Sequence, residues 1–196
     1  MSIAKYIKVI GRGKDGARPV NREEAADLMG QVIDGKVSDL EVGGFCIAMR
    51  IKGETELENA GFLDALDQRL TKVKSTCPVV VIPTYNGARK LPALTPLLAM
   101  LLAREGAKHS FAVLLHGTMS DDTRISSLDI LQAFQSMPGS ESLVFIDERN
   151  VPISQGQMAF VATETLSLGL KKLLDVRRTI GLRNPAHSIV KLMNPV

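Results

Sequence analysis

The sequence is poor in the residue types that often indicate a function. Its 196 residues include two cysteines, no tryptophan and only 4% aromatic residues. With so few rings we expect no base-stacking platform, so any affinity for nucleic acid would be electrostatic and sensitive to salt. No apolar run approaches the roughly 20 residues that cross a bilayer, and the first ten residues lack the apolar core of a signal peptide. We therefore expect a cytoplasmic protein with no membrane partner.

The cysteines and acidic residues do not form a pattern typical of a metal centre. Cys46 and Cys77 lie in apolar stretches without CxxC or His/Cys spacing, which predicts buried, reduced thiols. Asp147-Glu148 is an acidic dipeptide after an apolar run, and we interpret it as a solvated strand end. The sequence therefore predicts no metal site.

Charge is distributed unevenly along the chain, although the net charge is only +3. Residues 1–75 hold 12 basic and 12 acidic side chains, whereas residues 166–196 hold six basic and one acidic side chain, a net charge of +5. A local positive field of this kind attracts phosphate groups even when the whole molecule is nearly neutral.

Helix start signals are frequent in residues 1–75. Capping side chains stand three residues before a glutamate in three places: Asn21 with Glu24, Ser38 with Glu41, and Thr55 with Glu58. Apolar residues follow each pair at helical spacing, including Leu40 in the second segment and Leu57 in the third. With Ile3–Ile10 these segments predict a four-helix domain over residues 1–75, in which Gly43-Gly44 would allow another helix to approach closely.

Residues 76–196 alternate between strand and helix patterns. The β-branched or apolar runs Pro78–Pro83 and Phe111–Leu115 are typical of buried parallel strands, and Leu91–Arg104 between them has a helical period. Further strands are predicted at Leu143–Ile146 and Met158–Ala162, and further helices from Ser126 to Phe134 and over Leu166–Arg178. The predicted fold class is therefore α/β, with the four-helix domain followed by a mostly parallel-sheet domain over residues 76–196.

Several short motifs occur in the order in which one enzyme family carries them. They are Asn21-Arg22-Glu23-Glu24-Ala25, Gly35-Lys36-Val37-Ser38-Asp39, Ile51-Lys52-Gly53-Glu54-Thr55, His116-Gly117, the segment from Arg177 to Arg183, and Asn194-Pro195. Over nearly its whole length the chain resembles the anthranilate phosphoribosyltransferase family (glycosyltransferase family 3), which is similar to class II nucleoside phosphorylases. The resemblance implies a phosphoribosyltransferase-like fold and a homodimer formed through the N-terminal helices.

The sequence departs from this family at two places that matter for chemistry. Active members carry a glycine-rich turn after the first strand, because phosphoribosyl pyrophosphate lies against bare backbone amides there. This chain has Pro83-Thr84-Tyr85-Asn86-Gly87 instead, in which Pro83 lacks an N–H group and two residues carry side chains. The family's acidic magnesium-binding pair would follow Asn194-Pro195, yet the sequence stops at Val196. We therefore expect a truncated chain whose α/β domain is incomplete at its C-terminus.

The same turn, continued by Ala88-Arg89-Lys90, is similar to the YbiB-type branch of the family, which is regarded as a non-specific nucleic-acid binder without transferase activity. This resemblance implies that the protein binds DNA or RNA phosphates and needs no cofactor. The candidate nucleic-acid contacts are Arg89, Lys90, Lys171, Lys172, Arg177, Arg178 and Arg183.

Two alternatives remain open at this stage. The first alternative to nucleic-acid binding is a phosphoribosyl or other glycosyl transferase that uses phosphoribosyl pyrophosphate and magnesium at an altered site. The second is a helical dimerisation module attached to an inactive remnant. The degenerate phosphate and substrate site would comprise Thr84, Tyr85, Asn86, Gly87, Thr95, His116 and Gly117. His116 ends a strand where this class of fold binds ligands, but no nucleophile or carboxylate partner is identifiable by spacing, so a structural role is the alternative.

Periodicity assigns different surroundings to the basic candidates. Arg89 and Lys90 are predicted at the start of a helix, where a bound anion would offset their unfavourable interaction with the helix dipole. A stripe of Leu166, Leu170, Leu173, Arg177 and Ile180 predicts that Arg177 points inward. Lys171, Lys172 and Arg178 lie off that stripe and should face solvent, either as phosphate contacts or as an ordinary solvated helix face.

Overall fold

The computed structural model describes residues 2–85, 87–120, 123–147 and 149–196. These residues divide into two compact units. The helical unit comprises the chain up to Leu70 together with Ser167–Met193, and the α/β unit comprises Thr71–Leu166 together with Asn194–Val196. No helix in the described part of the chain has both the length and the apolar character needed to cross a membrane.

The helices of the helical unit are α1 (Ala4–Ile10), α2 (Gly13–Gly16), α3 (Arg22–Ile33), α4 (Asp39–Lys52) and α5 (Glu56–Asp67), followed much later by α9 (Leu168–Ile180) and α10 (Ala186–Ile189). Of these, α3, α4 and α5 begin directly after the predicted capping residues, whereas α2 and α10 were not predicted. Reciprocal capping boxes are present at all three predicted starts: Asn21 with Glu24, Ser38 with Glu41, and Thr55 with Glu58. The apolar faces are less regular than predicted, since Leu40 is 86% exposed and Leu57 is 62% exposed.

Two glycines set the packing of this unit. A Cβ atom at Gly61 of α5 would collide with the carbonyl oxygen of Arg22, and one at Gly169 of α9 would collide with the carbonyl oxygen of Ile33. Within this unit Gly43-Gly44 is not needed for close helix approach, because an added Cβ atom has open space at Gly43 and only an ordinary contact with Ile7 at Gly44. Close approach of helices within this unit therefore depends on Gly61 and Gly169, which let α5 and α9 pack against α3, and not on the glycine pair of α4.

The units do not follow the linear boundary that the sequence suggested between residues 75 and 76. Residues 167–193 belong to the helical unit, where the Asn184 amide donates a hydrogen bond of 2.7 Å to the carbonyl oxygen of Leu173 in α9. Thr71 and Ser75 belong to the α/β unit, since the Thr71 amide donates to Leu166 and Ser75 bridges to Ile153. The chain thus returns to the helical unit after completing the described strands.

The α/β unit is built on a four-stranded sheet in the order β1-β2-β4-β3, and every described pairing is parallel. Its elements are β1 (Val79–Pro83), α6 (Thr95–His109), β2 (Ala112–Gly117), α7 (Ser127–Gln135), β3 (Leu143–Ile146), β4 (Met158–Ala162) and α8 (Thr163–Leu166). Residues from α6 and α7 form one hydrophobic core with one face of β2 and β4, which includes Val113, Leu115 and Phe160. The predicted fold class, a helical part followed by a parallel α/β part, is confirmed.

Two helix boundaries differ from the sequence predictions and change the position of candidate residues. The helix predicted from Leu91 begins at Thr95, with Pro96 in its first turn. Proline is tolerated in a first turn but not deeper in a helix, so Pro96 prevents an earlier start. The helix predicted from Leu166 begins at Leu168, because the Ser167 side chain accepts a hydrogen bond from the Leu170 amide and caps a new helix there.

Candidate functional site

Three residues of the predicted phosphate site meet at the carboxyl ends of β1 and β2. Both the amide and the hydroxyl of Thr84 donate to the carbonyl oxygen of His116, at 2.8 and 3.1 Å. Gly117 is needed here, since a Cβ atom would lie 2.7 Å from the Thr84 hydroxyl oxygen. In this arrangement the donors of Thr84 bond the neighbouring strand, so they are not directed at a ligand.

His116 is fully buried, and neither ring nitrogen has a hydrogen-bond partner among the described residues. Burial lowers its pKa to about 4, because the charged imidazolium loses its hydration. His116 is therefore neutral near pH 7 and does not act as a phosphate-binding cation. Thr163, just beyond the end of β4, is also fully buried with an unpartnered hydroxyl oxygen.

The rest of the altered turn is packed against the segment that precedes α7. A Cβ atom at Gly87 would lie 2.5 Å from the carbonyl oxygen of Ile125, and the Ala88 amide donates to that oxygen at 2.8 Å. Tyr85 is half-buried. Asn86 lies outside the described residues. Gly87 therefore permits a backbone bridge within the protein, which is a structural reason for a glycine at this position.

Arg89 and Lys90 are exposed, but they do not stand at a helix start. They form a bend five or more residues before α6, so the predicted interaction with a helix dipole was wrong. Thr95 is the first residue of α6 and is half-buried, and no side chain caps this helix. The structure thus separates Arg89 and Lys90 from the helix amides with which they were predicted to act.

The basic residues of α9 and the following turn lie on the helical unit. Arg177 is exposed, and the prediction that it points inward was wrong. Burial of its helix face ends at Leu174, so the last turn of α9 lies beyond the packed part of the stripe. Lys172, Arg178 and Arg183 are exposed as well.

Lys171 differs from its neighbours, because only 16% of its side chain is exposed. Its ammonium group lies 2.6 Å from the Asp175 carboxylate, and Arg178 lies 3.8 Å from the same group. Asp175 is the one acidic residue in residues 166–196. Asp175 therefore compensates the positive charge of Lys171, and this residue is a weaker candidate for phosphate contact than Lys172, Arg177 or Arg183.

Acidic residues do not gather into a metal site in the part of the chain that is described. No group of three or more histidine, cysteine, aspartate or glutamate side chains is arranged to hold an ion there. Asp147 instead accepts from Arg149 at 2.7 to 2.8 Å, and Glu148 lies outside the described residues. With Thr84 bonded to β2 and no N–H group on Pro83, the described residues of this turn offer a sugar pyrophosphate fewer free donors than a glycine-rich turn would.

Comparison with known proteins places this architecture in a family context. The model of the glycosyl transferase family, helical bundle domain, matches residues 4–69. The uncharacterized protein YbiB of Escherichia coli is 39% identical over 203 residues, which cover 100% of this chain and 59% of that protein. An anthranilate phosphoribosyltransferase of Methanopyrus kandleri is 29% identical over 189 residues, which cover 96% of this chain and 53% of the enzyme.

Solved structures of anthranilate phosphoribosyltransferases share the fold of this chain. Anthranilate phosphoribosyltransferase from Thermus thermophilus superposes with a TM-score of 0.73 at 21% identity, covering 100% of this chain and 56% of that one. The enzyme from Saccharomyces cerevisiae in complex with PRPP and Mg gives 0.69 at 14% identity, with coverage of 99% and 54%. The predicted family resemblance is confirmed, and the chain spans about half the length of the relatives it matches.

Proposed function

We propose that this chain, which carries the helical bundle domain of the glycosyl transferase family and an anthranilate phosphoribosyltransferase-like fold, binds DNA or RNA non-specifically through phosphate contacts. The observation that carries the proposal is the set of exposed cations on α9 and the turn that follows it: Lys172, Arg177, Arg178 and Arg183. Contacts of lysine and arginine with phosphates position a nucleic acid without reading its sequence. The low aromatic content also favours electrostatic binding over base stacking.

The altered turn supports the same proposal because its donors are poorly suited to a sugar pyrophosphate. A sugar pyrophosphate needs several unoccupied donors at one place. Here the Thr84 amide and hydroxyl, and the Ala88 amide, are bonded within the protein. Arg89 and Lys90 remain exposed beside this turn and are proposed as further phosphate contacts on the α/β unit.

A salt series of binding measurements tests the proposal. Each duplex phosphate contact contributes about 0.9 to the slope of log affinity against log salt, so Lys172→Gln with Arg177→Gln and Arg183→Gln should flatten that slope by up to about 2.7. The charge-matched control is Arg104→Gln with Lys108→Gln and Arg149→Gln, three exposed residues of the α/β unit outside the proposed contacts. Binding that does not depend on salt, or no binding at low salt, would refute the proposal.

A transferase with an altered donor site is the second candidate function. It is favoured by the unpartnered buried polar atoms of His116 and Thr163, which lie at the carboxyl ends of adjacent strands, where ligands bind in open α/β sheets. Calorimetry with phosphoribosyl pyrophosphate and magnesium distinguishes the two functions. Saturable binding that is lost in a Thr163→Val variant would support the transferase.

We also propose a homodimer formed through the N-terminal helices. On α4, the apolar residues Leu40, Ile47 and Ile51 are 86%, 44% and 63% exposed, and they share one side of the helix with Gly44. Exposed apolar stripes of this kind mark interfaces. Sedimentation should show a dimer that dissociates in an Ile47→Asp, Ile51→Asp variant, whereas Leu57→Asp on α5, at 62% exposure, should leave the mass unchanged. A monomeric wild-type chain at micromolar concentration would contradict this assignment.

A further inference from the structure

A second cluster of positive charge lies at the other end of the helical unit's sequence. Residues 2–18 contain Lys5, Lys8, Arg12, Lys14 and Arg18 but only one acidic residue, Asp15. The net charge of residues 1–75 does not reveal this cluster, because the 12 basic and 12 acidic side chains of that segment cancel. No part of the proposed function described above uses it.

The fold places Lys5 and Lys8 on the outer side of α1. Ile3, Tyr6 and Ile10 are buried, which fixes the inner side of the helix. Lys5 and Lys8 lie three residues apart on the opposite side of the helix, Arg12 follows four residues later in the turn after it, and all three are exposed.

Local hydrogen bonds hold the two arginines beside this helix. The Arg12 Nε atom donates to the carbonyl oxygen of Lys8 at 3.1 Å. The Arg18 amide donates to the carbonyl oxygen of Val9 at 3.2 Å, and its guanidinium donates to two carbonyl oxygens of the intervening turn. These bonds define what we term the α1 basic stripe: Lys5, Lys8, Arg12 and Arg18.

Little within the protein neutralises the α1 basic stripe. Among the described residues Lys8, Arg12 and Arg18 form no ion pair, whereas the Lys5 ammonium group lies 3.9 Å from Asp27 and 4.5 Å from the centre of the Tyr6 ring. The neighbouring Glu41 carboxylate is engaged elsewhere, because it accepts hydrogen bonds from Ser2, Ile3 and Ser38. Like charges at steps of three and four residues repel one another, and a bound anion would reduce that repulsion. The charge of the stripe is therefore suited to an external anion.

The chemistry of the stripe favours nucleic acid over a lipid surface. Interfacial helices insert large apolar side chains next to their cations. In α1 the buried apolar residues Ile3, Tyr6 and Ile10 face inward, and the turn after the helix contains the exposed residues Gly11 and Gly13.

We infer that the α1 basic stripe is a second nucleic-acid phosphate-binding surface, separate in sequence from α9, and this inference rests on the proposed function. It extends the contact region of the helical unit to both ends of its chain. Binding through it is independent of sequence, since neither lysine nor arginine reaching a phosphate reads a base.

The experiment compares salt slopes for a 20-base-pair duplex across five forms of the full chain, one of which is the variant with Lys172→Gln, Arg177→Gln and Arg183→Gln, termed the α9 variant. Lys8→Gln with Arg12→Gln should flatten the slope by up to about 1.8, because two phosphate contacts are removed at about 0.9 each. Lys8→Arg with Arg12→Lys keeps both charges and should retain the wild-type slope, which controls for damage to α1. Arg104→Gln with Lys108→Gln removes the same charge from α6 and should change the slope little.

The outcomes separate the inference from the function on which it rests. If the wild-type chain binds and the α9 variant weakens binding, but Lys8→Gln with Arg12→Gln leaves slope and affinity unchanged, the stripe is not a binding surface and the proposed function stands. If the wild-type chain does not bind at low salt, both fail. An equal loss in the α6 control would also overturn the inference, because net charge alone would then explain the effect.

Discussion

The ion pair between Lys52 and Glu58 offers a sharp test of how the helical unit is held together. Only 8% of the Lys52 side chain and none of the Glu58 side chain is exposed, and their charged atoms lie 2.6 Å apart. The same carboxylate accepts from the amide and hydroxyl of Thr55, both at 2.9 Å, and from the Val20 amide at 3.2 Å. One buried group therefore caps α5 and also anchors the segment before α3.

Replacing Glu58 by alanine leaves the Lys52 ammonium group buried without its partner. Breaking a buried pair in this way costs about 3 to 5 kcal/mol, whereas removing both charges together is often nearly neutral. We therefore expect Glu58→Ala to lower the free energy of unfolding by that amount, and Lys52→Met with Glu58→Gln to lower it much less. The exposed pair of Arg22 and Asp64 provides the control, since Asp64→Ala should cost at most about 1 kcal/mol.

Amide hydrogen exchange at Leu28 of α3 and Leu66 of α5, two buried residues whose amides do not donate to Glu58, is the appropriate assay, because a chain with two compact units need not unfold in one transition. At about 1.4 kcal/mol for each factor of ten, Glu58→Ala should reduce protection at both amides on the order of 100-fold or more. A reduction no larger than that in Asp64→Ala would refute the reasoning. So would a double variant as unstable as Glu58→Ala.

Three further predictions concern single groups. Burial lowers the pKa values of His116 and His187 to about 4, so between pH 6.5 and 4 the unfolded chain binds more protons than the folded one. The free energy of unfolding should therefore fall as the pH falls through this range, which urea midpoints measure. An NMR titration of either histidine near pH 6.5 would contradict this. Gly61→Ala should destabilise the helical unit because the added Cβ atom meets the Arg22 carbonyl oxygen, whereas Gly43→Ala on α4 should be neutral or stabilising. Chemical denaturation measures both variants, and equal effects would argue against the helix packing described. Burial raises the pKa of the Cys46 thiol to about 11, so a thiol reagent should modify the half-buried Cys77 first, and two equally fast thiols would exclude this environment.

The features that could be predicted from the sequence are those set by local interactions. The three capping boxes depend on residues three positions apart, and each is present. The strands Leu143–Ile146 and Met158–Ala162 were predicted with their observed bounds, because short apolar runs between polar turns suit buried parallel strands. Pro96 shows the limit of such reasoning, since a helical period was visible from Leu91 but the proline fixes the start at Thr95.

The features that could not be predicted depend on residues distant in sequence. The assignment of α9 to the helical unit requires Gly169 to approach the Ile33 carbonyl oxygen, a contact that no local pattern indicates. Arg177 continues the apolar period of α9, yet it is exposed because the packed part of that face ends at Leu174. The α1 basic stripe was missed for a different reason, since averaging over 75 residues cancelled its charge.

The two candidate functions make separable demands on this chain, and that separation is what makes them testable. Transfer of a sugar would require donors around Thr84 and His116, where the Thr84 hydroxyl and amide now bond to β2 and the imidazole is neutral. Phosphate binding requires cations such as Lys172 and Arg183, which belong to the other unit and make no use of those donors. Replacing Lys172, Arg177 and Arg183 should therefore weaken salt-dependent binding while leaving any affinity for phosphoribosyl pyrophosphate unchanged, and a parallel loss of both would mean that the two functions use the same residues.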